Sequence, residues 1–71
     1  MMLEILTLEV KIQPSGTLEL GYYTGIRSFY LWKYTNSSGK EFDLFSLRTE
    51  SFTKVHDACD YFVENLLQEY I

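Results

Sequence analysis

Cysteine is almost missing from this chain, and Cys59 alone excludes an intramolecular disulfide and any zinc site built from the cysteines of one chain. That scarcity suits a reducing compartment. Histidine is equally scarce. His56 stands four residues before Asp60, the spacing of an ion pair on the solvated side of a helix, and nothing around it supplies the nucleophile, cleft and oxyanion donor that acid–base catalysis requires. His56, Asp57 and Asp60 make no closed ligand set for a metal. A single proline and four glycines leave no linker, repeat or low-complexity segment. Gly16, Gly25 and Gly39 fall at candidate hairpin turns and none opens a helix, which excludes a phosphate-binding loop. No apolar run approaches the roughly 18 residues of a membrane span, and Met1-Met2-Leu3-Glu4 lacks the basic stretch that begins a secretory signal. These absences together lead us to expect a cytoplasmic, non-enzymatic protein without cofactor, metal or membrane.

Positive charge is also in short supply, with six basic residues against ten acidic ones and a net charge of -4, which argues against a duplex-DNA binder held by phosphate contacts. The distribution is uneven. Residues 51–71 set Lys54 against Asp57, Asp60, Glu64 and Glu69, whereas residues 27–48 carry Arg27, Lys33, Lys40 and Arg48 against Glu41 and Asp43. Two unlike faces are expected. Apolar and aromatic residues are plentiful, at 46% and 17%, enough for a packed core rather than a disordered chain. The 71 residues suffice for one domain, residues 1–71, of a size at which a second copy helps to cover apolar surface.

The hydrophobic pattern predicts an α+β fold, a four-stranded antiparallel β-meander with one C-terminal α-helix packed across one face. Val55, Ala58, Cys59, Phe62, Val63, Leu66, Leu67, Tyr70 and Ile71 recur at helical spacing, so a helix is expected from about Lys54 to near the chain end, capped by Thr53. Strands are expected at roughly 3–13, 17–24, 28–36 and 40–49. A three-residue loop at Pro14–Gly16 places Ile12 opposite Leu18, Val10 opposite Leu20 and Lys11 opposite Glu19. An even-numbered loop after Thr24-Gly25 sets Phe29 and Leu31 on the same face as Leu18 and Leu20. A second three-residue loop, Ser37–Gly39, pairs Lys33 with Asp43 and brings Phe45 and Leu47 to the helix side. Gly21, inside the second strand, faces the same side as Trp32 and Tyr23 and leaves room for a ring.

With that register the sheet face away from the helix carries Tyr23, Tyr30, Trp32, Tyr34, Phe42 and Leu44, edged by Lys11, Ser28, Ser46 and Arg48. So large an apolar patch is unusual on a monomer, and Tyr, Trp and Arg are the residue types that concentrate binding energy. The expected function is a protein–protein interaction module, a small acidic inhibitor or adaptor, binding a partner or itself as a homodimer through Tyr23, Tyr30, Trp32, Tyr34, Phe42, Leu44 and Arg48. The alternative is a single-stranded nucleic-acid binder, with bases stacked on those rings and Lys11, Lys33 and Arg48 on phosphates. The element order resembles a known single-strand-binding fold in which a curved sheet and a C-terminal helix build a dimer. That resemblance lies in topology alone and implies a dimer.

Overall fold

The computed structural model describes residues 4–47 and 50–71. It contains strands β1 (Ile5–Lys11), β2 (Thr17–Tyr23), β3 (Phe29–Thr35), β4 (Glu41–Asp43) and β5 (Ser51–Phe52), then helix α1 (Val55–Asn65) and a 3-10 turn, Leu67–Glu69. The antiparallel sheet runs β1-β2-β3-β4, and β5 also pairs with β3. The helix packs across one face, here called inner. There Leu18, Leu20, Leu31, Tyr34, Leu44, Ala58 and Phe62 are wholly buried, with Ile12, Leu66 and Leu67 nearly so.

The first hairpin keeps its faces but shifts its register. Val10 pairs with Leu18, Leu8 with Leu20 and Glu9 with Glu19, two residues away from the expected partners. The Ile12 amide donates to the Gly16 carbonyl (3.0 Å), so the three-residue loop is 13–15 rather than 14–16, and Ile12 lies in the core. Gly16 has φ +91°, a conformation open to glycine at little cost. A two-residue shift returns every side chain to its own face. The second hairpin pairs Leu20 with Leu31 and Tyr22 with Phe29 on the inner face, as expected.

The decisive departure is in β3. Glu19 pairs with Lys33 and Leu20 with Leu31, so Trp32 is an extra residue, a β-bulge. Upstream alternation sends Leu31 inward, and without the bulge Lys33 would follow it under the helix, along with Asp43 opposite. Burying a charge is costly enough that the irregular backbone is the better solution. The bulge turns Trp32 and Lys33 both outward and Tyr34 inward. Downstream pairing is as expected, Lys33 with Asp43, Tyr34 with Phe42 and Thr35 with Glu41, across a loop in which Gly39 has φ +87°. Its parity is inverted. Tyr34 and Leu44 therefore lie in the core, and half-buried Phe42 packs against it rather than on the far face.

The last expected strand, 40–49, is broken. β4 ends at Asp43, whose Oδ1 accepts the amides of Phe45 (3.0 Å) and Ser46 (3.5 Å), while Oδ2 accepts the Ser46 hydroxyl (3.0 Å). Such an Asx turn competes directly with a strand ladder. Phe45 and Leu47 consequently leave the helix side and are exposed. After the turn, β5 restores pairing to β3 through Phe29–Phe52 and Tyr30–Ser51. Phe52 then packs on Tyr61, ring centroids 5.2 Å apart, and the Tyr61 hydroxyl donates to Glu50 (2.9 Å). This rotates the buried stripe of α1 toward Tyr61, leaving Val63 exposed.

Both ends of α1 differ from expectation. Its N-cap is Lys54, in extended conformation and without a side-chain cap, so Thr53 does not cap it. At the other end Leu66 leaves helical geometry and the chain tightens into the 3-10 turn. The tightening buries Leu66 and Leu67 in succession and sets Tyr70 on Phe42, 4.8 Å between centroids. The Asn36 side chain also donates to the Tyr70 carbonyl (3.2 Å), tying this end to the sheet. No helix among the described residues is long and apolar enough to cross a membrane.

Candidate functional site

The outer face, which α1 does not cover, divides into an aromatic half and a charged half. Tyr23, Tyr30 and Trp32 lie on it as expected, each partly buried. Their rings form a continuous train with Phe45: Tyr23 to Tyr30 at 6.2 Å, Tyr30 to Phe45 at 6.4 Å and Phe45 to Trp32 at 4.7 Å. Edge-on and tilted geometry at these separations is favourable for aromatic pairs. Phe45 takes the place of Tyr34, Phe42 and Leu44, which the bulge sends inward. Arg48 lies outside the described residues. The signal for Phe45 was local, since Asp43 and Ser46 flank it with the side chains an Asx turn uses.

Gly21 explains how Trp32 lies flat. A Cβ on Gly21 would sit 2.5 Å from Trp32 Cε3, so the indole rests on bare backbone. Only glycine permits this approach. Gly21→Ala is expected to leave the strand pairing intact and push the indole into water. A red shift in the emission of the only tryptophan would show it, and unchanged emission would contradict the packing described.

The charged half begins beside Trp32. Glu9 and Glu19 stand directly opposite each other, an unfavourable like-charge pair that Lys33 moderates. The Lys33 ammonium lies 3.8 Å from Glu19 and 3.7 Å from Glu41. Asp43, opposite Lys33, adds a further carboxylate. A depression of about 390 Å³ joins the two halves, lined by Trp32, Lys33, Glu41, Asp43 and Phe45. Lys11 is exposed at the end of β1. Among the described residues this half therefore carries more negative than positive charge, with Lys33 already engaged.

Elsewhere the chemistry is plain. His56 is exposed and reaches Asp60 at 3.3 Å, as its spacing implied, and also Asp57 at 3.9 Å. Cys59 packs partly buried against the core, and burial, with Asp60 adjacent, raises the pKa of its thiol, so it remains protonated. No group of three or more His, Cys, Asp or Glu among the described residues is placed to hold a metal ion. A second depression, about 460 Å³, lies at the Gly25 hairpin between Tyr22, Ile26, Arg27 and Phe29. Comparison of the chain with family models, curated proteins and solved structures finds no match.

Proposed function

We propose that the protein is a non-enzymatic interaction module, a small acidic inhibitor or adaptor, that grips a protein partner through the outer face of its sheet. The unbroken train Tyr23–Tyr30–Phe45–Trp32 beside a carboxylate-rich half carries this reading. Rings of this kind act as anchors when a partner desolvates them, and a rim of one charge sign selects its complement and speeds encounter. A matching partner presents an apolar side chain or cleft flanked by lysine or arginine. Single-strand nucleic-acid binding is the second reading. The rings support stacking, but Glu9, Glu19, Glu41 and Asp43 surround Lys33, which lies beside Trp32, and would repel a phosphate chain.

Trp32→Ala tests both. The expected result is a folded protein with capture of its partner weakened by roughly 30-fold or more, the scale of a binding hot spot. Capture by the immobilised wild type and variant is compared first, and the retained protein is then titrated against each. Equal affinities would remove the aromatic face from the function. Retention of single-stranded nucleic acid that falls steeply with salt would favour the second reading.

A further inference from the structure

Strand β1 presents a second surface, distinct from the aromatic face. It ends the sheet, and among the described residues nothing pairs with its outer edge. The Glu4 carbonyl accepts from the Thr24 amide (3.1 Å) and the Ile12 amide donates to Gly16 (3.0 Å), so the even-numbered residues between them point their backbone groups at β2. By alternation, the amides and carbonyls of Ile5, Thr7, Glu9 and Lys11 face outward. Exposed edges are normally blunted by proline, a bulge, an inward-pointing charge or charged side chains along the edge, and the stretch Ile5–Lys11 has only the last, Glu9 and Lys11. Its inner-face row is uncovered as well. Leu6 and Leu8 remain 39% exposed, although their neighbours Leu18, Leu20 and Leu31 in the same layer are completely buried.

We infer that a second copy of this chain pairs with this edge, antiparallel, about a two-fold axis through Leu8. The occupant is argued from self-complementarity. With Leu8 on the axis every residue of β1 finds a partner: Leu8 meets the partner's Leu8, Leu6 the partner's Val10, Thr7 the partner's Glu9 and Ile5 the partner's Lys11. No like charges stand directly opposite, and the outward amides and carbonyls meet in register. Moving the axis to Glu9 sets two carboxylates face to face. Moving it to Thr7 sets Val10 opposite the partner's Glu4 and Ile5 opposite the partner's Glu9. In the chosen register Leu6, Leu8 and Val10 of both copies form one apolar band, continuing the core where α1 stops. The axis is perpendicular to the sheet, so both aromatic faces look the same way and the dimer offers a doubled binding surface.

Sedimentation equilibrium over a concentration series, combined with amide hydrogen exchange, tests this. The expected result is a dimer that persists in high salt, with the amides of Ile5, Thr7, Glu9 and Lys11 protected and losing protection on dilution. Leu8→Lys places two ammonium groups at the axis and is expected to weaken the dimer roughly 100-fold, the scale of a like-charge clash across an interface. Trp32→Ala is expected to remain dimeric. A wild-type protein that stays monomeric throughout overturns the proposal, as does a dimer whose four outward amides exchange freely or one that Leu8→Lys leaves intact. Dissociation by Trp32→Ala would instead place self-association on the aromatic face. If Leu8→Lys does not fold, exchange of the wild type decides alone.

Discussion

Phe62→Ala is expected to cost about 3–5 kcal/mol, the usual range for truncating a fully buried phenylalanine. Phe62 lies at the middle of the α1 stripe with Ala58 and Leu66, wholly buried, its ring 4.9 Å from Tyr34 and 6.2 Å from Tyr70. Removing it deletes the one large side chain by which the helix reaches the centre of the sheet. At roughly 0.05–0.15 kcal/mol per residue, a domain of 71 residues has about 4–11 kcal/mol in all, so that loss removes a large share of it. Urea denaturation followed by circular dichroism should therefore find the midpoint of the variant at much lower denaturant than that of the wild type. Val63→Ala is the control: its neighbour on the helix is exposed, and its cost should stay below about 1 kcal/mol. Equal costs for the two would mean that the helix is rotated from the orientation described, and a neutral Phe62→Ala would remove it from the sheet.

The helix was legible in the sequence because its apolar spacing repeats over several turns and tolerates local error. Turns were legible for a related reason: Gly16, Gly25 and Gly39 each adopt the positive φ that glycine alone takes cheaply. Strand parity is more fragile, since one inserted residue inverts everything downstream. The run Phe29-Tyr30-Leu31-Trp32-Lys33-Tyr34 contains five large apolar residues and so gives almost no alternation by which to locate a bulge. Lys33 was the exception. Uninterrupted alternation places it beneath the helix with Asp43, and two charges there contradict the core that Leu31 begins. Asking where Lys33 could be solvated would have located the bulge and returned Tyr34, Phe42 and Leu44 to the core. Half of the candidate site was thus readable. Tyr23, Tyr30 and Trp32 precede the inversion or sit on it, whereas Phe45 depends on a turn that the Asp43 and Ser46 side chains signal.

Tyr34→Ala is expected to be as damaging as Phe62→Ala, about 3–5 kcal/mol, although its sequence position suggested a surface ring. Tyr34 is completely buried, its ring meets Phe62 at 4.9 Å and Tyr70 at 6.3 Å, and its hydroxyl donates to the Ser15 carbonyl at 3.0 Å. That bond joins β3 to the first hairpin loop, where Gly16 has no side chain to collide with the same hydroxyl. Tyr34→Phe keeps the ring and loses only the hydrogen bond, which should cost about 1 kcal/mol. The ratio of the two costs measures how much of the role is packing. Because Tyr34 and Phe62 touch, the double variant should cost less than the two singles added together, each truncation having already removed part of the other's contact. A Tyr34→Ala protein that melts like the wild type while losing its partner would restore the uninterrupted strand and place Tyr34 on the outer face. Loss of stability with Tyr34→Ala, against loss of binding with Trp32→Ala, is the pattern that a bulge at Trp32 requires.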